Sequence, residues 1–282
     1  MHLNLKGGVR IVLPDNLKLI TVYVALEQED WFENELHFVR TMAYEGMYAV
    51  DIGASFGFYT LALAKITGDT GRVYSFEPNS STRDYLQRSL NLNNSNNVNV
   101  FPFALSDYDG EGELYFPENS ELGTIKSEME EPNSKSEKIS VRSLDSLHQE
   151  LDFSGVEFIK IDAEGAEANI VNGGSTYLEQ FSPLIMHEVK KGSVVDFTVC
   201  RKLEERGYEN YRLIPALNCL VPINIEEECD DYLLNVFSCK PDRAKTLAQK
   251  DLLVFRETIP KFNSPNEIDW TVQFGKSPIG NW

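Results

Sequence analysis

The chain has 282 residues, 42% of them hydrophobic, enough to bury one large core in a single domain with extensions. Its 44 acidic and 26 basic residues give a formal net charge of -18, which repels phosphate backbones and anionic lipid and argues against general nucleic-acid binding. No apolar run approaches the ~20 residues that span a bilayer. The N-terminus lacks the charged-then-apolar pattern of a signal peptide, and Cys200, Cys219, Cys229 and Cys239 form no CxxC pair; a reduced, cytoplasmic setting is expected.

In chain order, "VRIVLP" (9–14) and "LKLITVYVA" (17–25) read as a small hairpin around Pro14-Asp15-Asn16, making 1–29 an N-terminal extension. Residues 30–44 carry apolar positions at helical spacing, with Asp30 as expected N-cap and Gly46 as stop. Strands then alternate with helices. "MYAVDI" is followed by helix 56–66, and "RVYSFE" (72–77) by a helix capped by Ser80 or Ser81. "NVNVFPFAL" (97–105), "GELYF" (112–116) and "KISVRSL" (138–144) are further strands, before a short helix at 143–151. "VEFIKID" (156–162) leads into helix 166–181, "SPLIMHEV" (182–189) into helix 194–206, and "YENYRLI" and "DYLLNVFSCK" complete the series. The alternation indicates an α/β fold with a doubly wound, mostly parallel sheet. The polar stretch 117–137 reads as an exposed insertion, and 246–282 as a C-terminal arm, leaving 30–245 as the main domain.

In such a sheet, ligands bind beyond the carboxyl ends of strands at the switch in strand order. The turn "DIGASFG" sits there, with Asp51 at the strand end and Gly53 and Gly57 spaced G-x-x-x-G. Gly53 allows a sharp bend close to a ligand, and Gly57 allows close packing of helix and strand. A dinucleotide fingerprint needs a middle glycine, and position 55 is Ser. A carboxylate before the turn suits a cationic ligand better than a polyphosphate. Glu77 ends the next strand and can accept both ribose hydroxyls, with Pro78 holding the turn. An α-amino group plus a ribose without phosphate describes S-adenosyl-L-methionine. Asp51, Gly53, Ala54, Ser55, Gly57, Glu77 and Pro78 are its expected contacts. Ala104 and Leu105 form an apolar rest for the adenine, with Ser106 or Asp107 accepting from its amine.

The segment "FIKIDAEGAEANIVNGG" places Asp162, Glu164 and Glu167 within six residues of one strand end. These carboxylates repel one another unless a cation, a metal or a hydrogen-bonding substrate is present, although Glu167 also suits the first turn of a helix. "MHEV" ends the next strand, so His187 and Glu188 face opposite ways. His187 is a candidate proton acceptor, and Glu188 a candidate substrate or cofactor ligand.

"VDIGASFGFYTLALA", "VYSFEPN", "SLDSL" and above all "FIKIDAEGAEANIVNGG" resemble the FkbM-type methyltransferases, over about residues 30–240. That family usually carries Asn where this chain has Ser55, and Ser makes a similar hydrogen bond. The resemblance implies a seven-stranded, Rossmann-like class I methyltransferase fold. It also implies that Asp51, Gly53 and Glu77 bind the cofactor, while Asp162, Glu164 and Glu167 edge the active site. The expected activity is O-methylation of a hydroxyl on a small molecule, sugar, lipid or polyketide. Asp162 also contacts the cofactor in this reading, and the proton acceptor is His187, Asp162 or Glu164. A divalent metal on Asp162 and Glu164 is an alternative activator, but no further ligand lies near in sequence and none is expected. A non-catalytic binding module in a larger biosynthetic assembly is the second reading. A homo-oligomer or a multidomain context would suit either, and the missing glycine disfavours a nicotinamide oxidoreductase.

Overall fold

In a computed structural model, residues 1–116, 135–191, 194–227 and 232–255 are described. The main sheet has eight strands: β1 (Tyr48–Ile52), β2 (Arg72–Phe76), β3 (Val98–Phe101), β4 (Val156–Ile161), β5 (Leu184–Glu188), β6 (Glu209–Ile214), β7 (Cys219–Pro222) and β8 (Asn235–Cys239). Their order is β7-β6-β8-β5-β4-β1-β2-β3. The five strands from β5 to β3 pair in parallel, while β8 is antiparallel to both β5 and β6 and β6 to β7. The expected seven strands therefore become eight, with β7 added at one edge.

Alternation along the central strands builds a core on each face. Ala49, Phe158, Leu184 and Met186 point to one, packed by helices Asn34–Met42, Phe58–Thr67 and Ser80–Asn93. Val50, Ile159, Ile161 and Ile185 point to the other, against helices Leu144–Leu151, Glu167–Gly173 and Thr198–Glu204. The chain leaves β1 toward β2 and β3, then returns to lay β4 on the other side of β1. The switch point therefore lies between β1 and β4.

Several local expectations change. The N-terminal hairpin pairs His2–Leu5 with Val9–Val12 around Gly7 and Gly8, both at positive φ. Residues 17–25 contribute instead to helix Ile20–Gln28, whose Val22 and Ala25 join the main core. Burial of that face overrides the β-branched preference of "LITVYVA". Asp30 does not cap the next helix, whose cap is Glu33; Asp30 forms a bidentate pair with Arg40. Pro102 cannot donate to a ladder, and it splits the expected strand 97–105. Its second half, Phe103–Leu105, leaves the main sheet for a small one with Gly110–Phe116 and Lys135–Arg142. Residues 166–181 divide at Gly173 and Gly174 into two short helices, and Gly173 must be glycine because a side chain there would lie 2.0 Å from the Ser106 carbonyl oxygen. Of the expected insertion, 117–134 lies outside the described residues, as do Cys229 and, of the arm, 256–282.

Asn79, not Ser80 or Ser81, caps helix Ser80–Asn93, accepting from the Ser81 and Thr82 N–H groups at 3.0 and 3.2 Å. Asn79→Ala is expected to lower stability by about 0.5–2 kcal/mol, read from the urea midpoint at unchanged slope. An unmoved midpoint would deny the cap its role.

Candidate active site

A cavity of about 300 Å³ opens beyond the carboxyl ends of β1, β2 and β4. Its floor is the turn after β1. Gly53 adopts φ 73°, and a Cβ there would lie 1.8 Å from the Asp162 carbonyl oxygen. The close approach that requires glycine is thus to the β4 loop. The Gly53 and Ala54 N–H groups both donate to Phe76 O at 3.0 Å, tying the turn to β2. Gly57, at φ 97°, starts the following helix against Leu86. Ser55 sits at φ 50°, a conformation asparagine tolerates better than serine.

Glu77 joins the turn to its own strand end. One oxygen accepts from the Ser55 N–H at 2.7 Å and the other from the Asn79 N–H at 2.9 Å. Burial raises its carboxyl to about 7, although these two bonds pull it down. Glu77, Ser55, Gly53 and Pro78 all line the cavity. Ala104 and Leu105, carried there by the small sheet, form an apolar wall with Phe103. Ser106 and Asp107 are not part of the lining, so neither is placed to receive an adenine amine.

Asp51 does not reach the cavity. It is fully buried beneath the turn, where Oδ2 accepts from the Thr60 hydroxyl at 2.6 Å and Oδ1 lies 3.5 Å from Lys160 Nζ. Register explains the pairing, since Asp51 stands opposite Lys160 in the β1–β4 ladder. Lys160 also meets Asp162 Oδ2 at 3.1 Å and donates to Gly53 O at 3.1 Å. Burial alone would lower the lysine pKa, yet Asp162 and Asp51 hold it above its ordinary value. The expected ligand contact at Asp51 is therefore corrected: this carboxylate and Lys160 brace the turn from below. Ala54 and Gly57 support the turn in the same way, outside the lining.

Asp162, Glu164 and Glu188 do line the cavity. Burial, with Asp162 nearby, raises Glu164 to about 7. Burial and the charges of Asp162, Glu164, Glu167 and Glu33 raise Glu188 to about 8. Glu167 turns away, accepting from the Ala163 and Gly165 N–H groups at 2.9 and 3.0 Å, which makes it a brace for the loop. His187 is corrected as a proton acceptor. It is fully buried on the opposite side of β5, 3.1 Å from the Ser238 hydroxyl, and burial lowers it to about 4. Among the described residues, no three His, Cys, Asp or Glu side chains are grouped to hold a metal ion.

The N-terminal segment supplies lining that the sequence did not suggest: Ile20, Thr21, Trp31 and Glu33. Glu33 accepts from the Tyr59 hydroxyl at 2.6 Å, and burial raises it to about 7. "DWFENELHF" carries no spacing that separates Glu33 from an ordinary helix-start acid. Among the described residues, the cavity lining thus holds five acids and no Lys, Arg or His.

The family model for the methyltransferase FkbM domain matches residues 51–209, more than half of the chain. No curated protein matches the sequence. Similar solved structures include the methyltransferase FkbM from Methylobacillus flagellatus KT, 18% identical with a TM-score of 0.47, covering 80% of this chain and 56% of that one. The chain thus spans little more than half the length of that relative. A SAM-dependent methyltransferase from Aquifex aeolicus is 17% identical, with a TM-score of 0.39 over 80% of this chain and 93% of that one. Aeropyrum pernix fibrillarin, solved with S-adenosyl-L-methionine bound, is 13% identical, with a TM-score of 0.40 over 78% and 74%.

Proposed function

The chain belongs to the FkbM methyltransferase domain family, and from that premise we propose that it is an S-adenosyl-L-methionine-dependent methyltransferase acting on a hydroxyl oxygen. The observation that carries this reading is the charge of the cavity: among the described residues, five acids and no cationic side chain, at the switch point of a parallel sheet. A pyrophosphate would be repelled there, whereas a sulfonium and an ammonium are attracted. The donor set fits the cofactor in other respects. Glu77 keeps lone pairs for the ribose hydroxyls, and Ala104 and Leu105 offer a flat apolar wall to adenine. Asp162, paired with Lys160, lines the same cavity and offers a carboxylate to the cofactor's ammonium.

When bound, the cofactor supplies a methyl group on positively charged sulfur. The protein must bring a hydroxyl to it and take the hydroxyl proton. Glu188 is placed for the second task. It lines the cavity, no hydrogen bond engages its side chain among the described residues, and a carboxyl raised to about 8 is, once ionised, a stronger base than an ordinary carboxylate. Glu33 is held by Tyr59, and Asp162 by Lys160, so both orient their surroundings.

Calorimetric titration of S-adenosyl-L-methionine into the full chain tests the reading. One-to-one binding is expected, weakened by about tenfold or more in Glu77→Gln, which loses charge-assisted acceptance. No heat at millimolar ligand in the wild type would sink it and favour a non-catalytic module.

A further inference from the structure

A second cavity, of about 340 Å³, lies beside the first, and Glu33 lines both. Its walls are largely apolar, with Phe32, Leu213, Ile223 and Leu233 among them. It also carries Arg212, an exposed side chain of β6. Among the described residues it is the only cation lining either cavity. No ion pair or side-chain hydrogen bond engages it among the described residues.

Two adjoining cavities of this size, sharing one wall residue, suit two reactants. Their charge differs: among the described residues the first is lined by five acids and no cation, whereas the second sets the Arg212 guanidinium beside two acids, Glu33 and Glu35. An anionic group entering here is repelled from the acidic end and attracted to Arg212, whose planar fork matches a carboxylate with two parallel hydrogen bonds. A hydroxyl on the far side of the same molecule is then directed to Glu33, the residue that lines both cavities. Burial raises Glu35 above the ordinary carboxylate range, as it does Glu33, so the second cavity repels an anion less than its residue count suggests.

We propose that the second cavity seats the methyl acceptor and that the acceptor is a hydroxylated carboxylic acid with an apolar body of about one ring. The carboxylate sits on Arg212, the body lies against Phe32 and Leu213, and the hydroxyl points toward Glu33. This rests on the methyltransferase reading, but its test separates the two.

The probes are 4-hydroxybenzoate, 3-(4-hydroxyphenyl)propanoate and the methyl ester of the first, titrated calorimetrically into the full chain. S-adenosyl-L-methionine is titrated in parallel. At least one acid is expected to bind saturably, with its affinity falling by about tenfold or more in Arg212→Ala and partly recovering in Arg212→Lys. The ester is expected to bind as weakly to the wild type as the acid does to Arg212→Ala. Cofactor affinity stays within twofold throughout, because Arg212 is outside the first cavity. Cofactor binding without binding of either acid would overturn the acceptor assignment, as would an acid held equally well by Arg212→Ala. Acid binding through Arg212 without cofactor binding would uphold this site and overturn the methyl-transfer reading instead.

Discussion

Glu188→Gln is expected to slow methyl transfer by about 10²–10⁴-fold while leaving cofactor affinity within a few-fold. The glutamine keeps the size and polarity of the side chain but cannot take a proton. The effect should fall on kcat, since Glu188 acts only as the hydroxyl loses its proton. The wild-type pH profile gives a second readout. Burial and the neighbouring Asp162, Glu164, Glu167 and Glu33 raise Glu188 to about 8, so the required ionised form grows as pH rises. The rate should climb up to about pH 8 and level above it, a step that Glu188→Gln removes. A variant within a few-fold of wild type, or one keeping the step at 8, would take the base role away from Glu188.

Lys160→Met is expected to cost about 3–5 kcal/mol of stability, because it strips the cation from a carboxylate buried within the sheet. Asp51 is fully buried and keeps only the Thr60 hydroxyl as partner once Lys160 is gone. The Gly53 carbonyl and Asp162 lose the same ammonium, so the cavity floor loosens as well. Denaturant unfolding reads the loss. Lys160→Met/Asp51→Asn should recover part of it, as a coupled pair does. A loss below about 1 kcal/mol, or strictly additive single effects, would mean that this ion pair does not brace the turn. The lysine's pKa is raised in the fold, so its contribution persists through neutral pH and is lost only in strong alkali. The cavity carboxyls have the same sign in a lower pH window. Glu33, Glu77 and Glu164 at about 7 and Glu188 at about 8 favour the fold when protonated. Their contribution is present below pH 4.5 and is lost as pH rises toward 8. A cationic ligand draws on their ionised forms and should bind more tightly across the same rise.

Much of this architecture was legible because it follows from short-range pattern. Apolar runs ending at Asp51, Glu77 and Asp162 mark strands buried on both faces, and the glycines after the first mark a turn at the switch point. Glu77, Pro78 and the acidic end of β4 were expected at the crevice from their position along those strands, and they line the cavity; Ala104 and Leu105 line it too, from the small sheet. Side-chain direction was harder. Asp51 sits one residue before its strand's end, and that residue of register turns it inward to Lys160. The same period decides between His187 and Glu188: one faces Ser238 in the core and the other the cavity. Residues brought in from afar left no local trace. Ile20, Trp31 and Glu33 arrive from the N-terminal segment, and Arg212 from a strand beyond β5. Only the folded chain sets the first three beside the turn and Arg212 in the second cavity.

A crystal structure of the full chain with S-adenosyl-L-homocysteine tests the central claim most directly. The account predicts the ribose hydroxyls on Glu77, the adenine against Ala104 and Leu105, and the sulfur open toward Glu188. A ligand held elsewhere, or a sulfur closed off from Glu188 by the protein, would contradict it.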